Sequence, residues 1–137
     1  RRLVGHFGAV TCLVVSKAYS FVLSGAGDSE RGSVIMWDAN RPRFIRELIS
    51  DLPSAPSSVC LSETGASVVA CAGRELRVVT INGVPLAQVD MESEADSFTC
   101  AAPVRVPEWC VEYPIIVSGH ADGCVRFWRM LPHRIPK

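Results

Sequence analysis

Short apolar runs alternate with turn residues along the whole chain. Val10–Ser16 (VTCLVVS), Phe21–Gly25 (FVLSG), Val34–Trp37 (VIMW) and Phe44–Leu48 (FIREL) make a first group of four. They are rich in β-branched and aromatic residues and are separated by Ser, Gly, Asp and Pro, which predicts strands joined by turns. A second group follows at Ser58–Leu61, Ser67–Cys71, Leu76–Ile81 and Leu86–Val89. Its turn signals are Glu63-Thr64-Gly65, Gly73-Arg74-Glu75 and Asn82-Gly83-Val84-Pro85. A third group contains Phe98–Ala101, Ile115–Gly119 and Val125–Met130, and its proline-bearing tail, Leu131–Lys137, shows no clear fourth strand. No stretch carries a convincing helical period.

The groups repeat one another. Ser24-Gly25 precedes Asp28 and Trp37, and Ser118-Gly119 precedes Asp122 and Trp128. The two serines stand 94 residues apart, or two periods of 47. That is near the roughly 40–45 residues of a four-stranded propeller blade. The expected fold is therefore all-β: a partial WD-repeat β-propeller of three four-stranded antiparallel blades, near residues 5–50, 57–91 and 97–137 of a single domain. The middle unit keeps the strand rhythm with an eroded motif.

Such a blade is stapled by a polar chain: a loop His, a Ser on the second strand, an Asp in the next turn and a Trp on the third strand. His6, Ser24, Asp28 and Trp37 fill these places in the first unit, and Ser118, Asp122 and Trp128 in the third. An indole N–H needs an acceptor when buried, and buried polar groups persist only as satisfied sets. Gly119-His120 stands too close to Trp128 to be the opening Gly-His of a repeat. His120 is therefore expected in the turn between the second and third strands, exposed. His6, Ser24 and Asp28 also resemble a hydrolase triad, but no G-x-S-x-G elbow or oxyanion hole accompanies them. No catalytic, cofactor-binding or metal residue is expected, and no enzymatic activity.

Composition narrows the partners. Lys+Arg and Asp+Glu both number 14 in 137 residues, so the net charge is zero. That argues against a nucleic-acid binder. Nearly half the residues are apolar, yet no run is long enough to span a bilayer, and no signal peptide is evident. The six cysteines form no C-x-x-C pair, so reduced, packed thiols are expected rather than a zinc site. Arg126, Arg129, Arg134 and Lys137 form a modest basic end whose simplest reading is a solvated face. The first residue is not Met, as in a fragment of something longer.

The wording of the chain goes further. GHFGAVTCLVVSKAYSFVLSGAGD, VIMWDANRPRFIREL, SETGASVVACAGRELRVVTINGVPLA and PEWCVEYPIIVSGHADGCVRFWRM resemble the C-terminal propeller of BEACH-domain proteins. The last segment is most similar to the branch containing the autophagy-linked FYVE protein. Asn82–Pro85 and Glu108-Trp109 are the most specific parts. The resemblance implies a cytoplasmic scaffold, peripherally associated with endomembranes through other domains of a parent protein. It implies action in vesicle traffic, lysosome-related organelles or selective autophagy. The alternative is a generic WD-repeat adaptor of a ubiquitin-ligase or signalling complex.

Partners are expected to be proteins or peptides, held on one rim of the propeller. Loops before first strands and turns between second and third strands open there. Phe7, Glu30, Arg31, Arg74, Glu75, Glu92, Glu94, Asp96 and His120 are the candidate contacts. Three blades leave two open faces, so self-association through the blade edges is also expected.

Overall fold

The computed structural model describes residues 2–62, 66–104 and 115–129. Its strands are β1 (Ala9–Ser16), β2 (Phe21–Gly27), β3 (Gly32–Asp38), β4 (Arg43–Leu52), β5 (Ser58–Ser62) and β6 (Ser67–Ala72). They continue as β7 (Glu75–Thr80), β8 (Pro85–Asp90), β9 (Phe98–Val104), β10 (Ile115–His120) and β11 (Val125–Arg129). Each sheet is an antiparallel meander: β1-β2-β3-β4, then β5-β6-β7-β8, then β9-β10-β11. The fold is a partial β-propeller of three blades. The third sheet has three strands among the described residues, and the tail after Arg129 lies outside them.

Two details differ from the expected elements. Glu94–Asp96, in the acidic segment, forms a 3-10 turn whose first N–H groups include one bonded to the Ser93 hydroxyl. Strand β4 runs on to Leu52 and is irregular in register, with shifts at Gly32/Val34, Val34/Ile35 and Met36/Trp37 of its partner. The bulges turn Leu48, Ile49 and Leu52 inward, where all three are buried.

The period of two in each strand explains the stacking. Val68, Ala70 and Ala72 of β6 join Leu23, Val34, Met36 and Leu48 in one core between the first two sheets. The alternate residues Val69 and Cys71 join Leu76, Val78, Phe98 and Ile116 in a second core between the second and third sheets. Strand β6 is thus apolar on both faces, which is why SVVACA reads as a continuous apolar run. Each large side chain fully buried here stabilises by about 1.5–3 kcal/mol, enough to hold the middle blade without a polar staple.

Strand register makes the sheets equivalent position by position. Val22 faces Trp37, Val68 faces Val79, and Ile116 faces Trp128. Ser24, Ala70 and Ser118 each lie two residues further along the second strand. The inner strands are bridged by hydroxyls. Thr11 Oγ1 donates to Pro56 O at 2.6 Å and sits 3.3 Å from Gly25 O of its own sheet. Ser57 Oγ lies 3.3 Å from both Cys71 O and Phe98 O.

Candidate functional site

In the first blade, Trp37 and Ser24 lie on one face of adjacent strands, and His6 reaches them from the segment before β1. The Trp37 indole N–H donates to Ser24 Oγ at 2.7 Å. Ser24 Oγ lies 2.6 Å from His6 Nε2, and His6 Nδ1 lies 3.2 Å from Ser33 Oγ. Ser24 thus links the indole N–H to one ring nitrogen of His6, and Ser33 holds the other. Gly5 lets the chain pass over the ring: a Cβ there would stand 3.0 Å from Trp37 Cη2. Asp28 is not part of this chain. Its Oδ1 accepts the backbone N–H groups of Glu30 and Arg31 at 2.8 and 3.0 Å, which hold the carboxyl below the usual range. The carboxylate is consumed by its own turn, and Ser33 takes the place expected for it at the imidazole.

The third blade builds the same relay from a different direction. Trp128 Nε1 donates to Ser118 Oγ at 2.7 Å, and Ser118 Oγ lies 2.6 Å from His120 Nε2. His120 Nδ1 then donates to the carbonyl of Asp96 at 2.7 Å. Far from being an exposed turn residue, His120 ends β10 and is buried. The physical reason is strand periodicity: residues two apart share a face, so Ser118 and His120 both point at the second sheet. The equivalent positions are Ala26 and Ala72. In the first blade the small Ala26 leaves the site to a loop imidazole; in the third, the strand supplies its own. Asp122 also stays outside the relay. It pairs with Arg126 at 3.0 Å and accepts from the Cys124 N–H, and both interactions, the arginine first, hold its carboxyl well below the ordinary range.

Each relay is a fixed hydrogen-bond staple rather than a nucleophile. Ser24 and Ser118 are buried, both are committed to an indole, and neither imidazole has a carboxylate behind it. Among the described residues no group of three or more His, Cys, Asp or Glu is placed to hold a metal ion.

Backbone hydrogen bonds bring the turns and loops together at one end of the sheets. Ala55 N–H donates to Asp28 O, Phe98 N–H to Gly73 O, Met91 N–H to Arg74 O and Ala121 N–H to Ser97 O, all within 2.7–2.9 Å. Phe7, Glu30, Arg31, Arg74, Glu92 and Glu94 are exposed on this rim, and Asp96 is half-buried. Arg31 stacks over the Phe7 ring at 3.9 Å, and Arg74 donates to Glu92 O at 3.2 Å. Glu75 and His120 do not join the exposed set. Glu75 is buried and ion-paired with Arg77, and His120 is spent in its relay.

A family model for the WD domain, G-beta repeat, matches residues 1–38 and 94–129. The chain belongs to the WD-repeat family. The two matched stretches are the ones that carry the relays. The chain is also 31% identical over 138 residues to WD repeat- and FYVE domain-containing protein 4 of Mus musculus, covering 98% of this chain and 4% of that protein. It is 31% identical over 133 residues to BEACH domain-containing protein A2 of Arabidopsis thaliana, covering 96% and 4%. It is 30% identical over 131 residues to the human lysosomal-trafficking regulator, covering 92% and 3%. The chain therefore spans only a few per cent of the length of these relatives, and it corresponds to the WD region of BEACH-domain proteins.

The middle WD blade shows what replaces the relay. Ala70 and Val79 stand where the other blades have Ser and Trp, and Arg77 lies opposite Ala70 in register. Its guanidinium bonds to Glu75 of its own strand and to Asp51 of β4, joining two blades. The Asn82–Pro85 segment adds another link. Thr80 Oγ1 accepts from Asn82 N and Val84 N, Gly83 takes φ +85, and Arg46 of β4 reaches Asn82 Oδ1 at 3.4 Å. Glu108-Trp109, Arg134 and Lys137 lie outside the described residues. Cys12, Cys60, Cys71, Cys100 and Cys124 are unbridged, and burial pushes the Cys60 and Cys71 thiols up to about 12, which makes them inert packing residues.

The WD relay of the first blade should respond to acid. Burial draws the His6 imidazole below its ordinary value of 6.5, against smaller opposing effects from Glu47 and Ser24. The folded chain then takes up the proton less readily than the unfolded chain. Its contribution is intact above about pH 6.5 and is lost as pH falls through that value towards the lower folded one. Urea melts from roughly pH 7.5 to 5 should show declining midpoints, with a shallower decline in His6→Asn. Parallel curves for the two proteins would show that His6 carries none of the effect.

Proposed function

We propose that this WD module is the protein-binding part of a BEACH-family scaffold acting in vesicle traffic, lysosome-related organelles or selective autophagy. WD-repeat domains are in general protein-interaction scaffolds, and the matching family model is not that of an enzyme. The observation that carries the finer reading is similarity over nearly the whole chain to the lysosomal-trafficking regulator and to BEACH- and FYVE-bearing relatives. A parent protein would bring membrane contact through its other domains and keep the module on the cytoplasmic side of endomembranes. No helix among the described residues is long and apolar enough to cross a membrane.

Partners dock on the rim formed by Phe7, Glu30, Arg31, Arg74, Glu92, Glu94 and Asp96. Rigid sheets hold these loop residues in fixed relative positions, which is what makes a loop cluster a recognition surface. The test places Arg31→Glu together with Arg74→Glu in the parent protein at its normal level. The expected result is altered lysosome size or distribution with unchanged protein abundance. Normal lysosomes together with a changed ubiquitin-conjugate or signalling readout would instead make the module a general adaptor.

A further inference from the structure

The first two sheets are tightly joined at their inner strands, where Thr11 Oγ1 meets Pro56 O at 2.6 Å. At the outer strands they separate. Strands β4 and β8 are the last of their sheets, and a groove of about 550 Å³ lies between them. Leu48 and Asp51 line it from β4, and Arg77, Val79, Leu86 and Gln88 from the second sheet. Each of the two sheets has its four strands, so every wall of the groove is in place.

The groove is apolar at one end and acidic at the other. At the apolar end Gly83 passes close to Leu48, a Cβ there standing 4.0 Å from Leu48 Cδ2, and Leu86 is 47% exposed. Arg46 of β4 is held at this end by Asn82. At the other end Arg77 pairs with Glu75 and with Asp51, whose side chain is 73% exposed. Gln88 lies opposite Arg77 and Asp90 opposite Glu75, so their side chains share the face turned to the first sheet. Gln88 Nε2 donates to the Asp90 carboxylate at 3.2 Å. Three carboxylates against one guanidinium leave this end negative.

Strand β8 is an edge, with no strand beyond it among the described residues, so one row of its backbone N–H and C=O groups faces outward. An open edge beside a groove is a template for an extended segment: main-chain bonds hold it, and alternate side chains enter the groove. Side chains two apart share a face. One of them would therefore sit over Leu48 and Leu86, and the next beside Asp51 and Asp90. The excess of carboxylates makes the second of these a cation.

The geometry points to a second docking surface on the outer wall, where an extended segment of a partner protein pairs with β8. The segment sets an apolar residue into the Leu48–Leu86 end of the groove and a lysine or arginine, two residues along, into the Asp51–Asp90 end. This surface is made of sheet edges and needs none of the loop residues of the rim.

Fluorescence anisotropy with the parent protein tests this. The probe is a labelled synthetic peptide that alternates threonine with leucine and lysine at the groove-facing places. Leu86→Lys and Asp90→Lys, both at exposed positions, should each weaken its binding about tenfold, a change of about 1.4 kcal/mol. A peptide with glutamate in place of lysine should bind Asp90→Lys more tightly than wild type. Proline at a threonine place removes a main-chain N–H and should also weaken binding. Arg31→Glu on the rim should leave the lysine peptide's affinity unchanged, so a failed rim does not carry this surface down with it. Equal affinity of the wild type for the lysine and glutamate peptides would overturn the proposal. So would loss of binding in Arg31→Glu but not in Leu86→Lys or Asp90→Lys. Failure of the lysine peptide to bind at all, as where another part of the parent protein covers the groove, would overturn it too.

Discussion

Trp37→Ala should destabilise the fold by about 3–5 kcal/mol, the range for removing a buried large aromatic. Three losses combine. The indole packs edge-on against Phe44 at 6.0 Å and against His6 at 6.2 Å, and both contacts go. A cavity opens beneath Gly5, whose backbone rests on the ring. Ser24 then loses the donor that fixes its hydroxyl towards His6. Trp37→Phe separates these terms, because it keeps most of the apolar area and removes only the N–H. Its cost should be nearer 1–2 kcal/mol, the value of one unmade buried hydrogen bond. Urea midpoints at constant slope measure both. A Trp37→Ala midpoint within error of wild type would remove the relay from the account of this blade's stability.

The position of Val79 makes the comparison sharper. It occupies the register site of Trp37 and Trp128, yet the middle blade stands. That blade has a neighbour on each face, and β6 contributes to two cores. Burial from both sides replaces the staple, with the Arg77 bridge to Asp51 as a tie to the first blade.

Much of this architecture was legible because strands announce themselves by period. The eleven described strands fall on the expected apolar runs, and Ser24, Trp37, Ser118 and Trp128 stand where the repeat pattern puts them. The donors behind each imidazole were not legible. Spacing alone made Asp28 look like a relay member, but a short carboxylate at the start of a turn is captured by the next free N–H groups. Glu75 looked like a turn charge, yet the turn is only Gly73-Arg74, and Glu75 already belongs to β7. The Thr11 and Ser57 bridges had a signal: a hydroxyl residue stands near the start of each inner strand, Thr99 holding the same place in β9. It becomes readable only once register shows the three positions to be equivalent.

His120→Ala should cost about 2–4 kcal/mol, where a substitution at an exposed turn would stay within about 0.5 kcal/mol. The imidazole lies 4.6 Å from the Phe98 ring and is bonded at both nitrogens. Its removal leaves the Asp96 carbonyl and the Ser118 hydroxyl short of partners, each worth about 1–3 kcal/mol if no water reaches it, and it hollows the core beside Phe98. Ala26 and Ala72 show that alanine is compatible with the backbone at this place, so strain from the new residue is not the cause of the loss. Its effect should also depend on Ser118. Once Ser118→Ala has removed the acceptor between indole and imidazole, deleting His120 should cost less than it does alone. That non-additivity, of at least about 0.5 kcal/mol for residues sharing one network, distinguishes a relay from two independently packed side chains. Additive losses would show that His120 stabilises β10 by packing on Phe98 alone, with the 2.6 Å contact to Ser118 contributing nothing to stability.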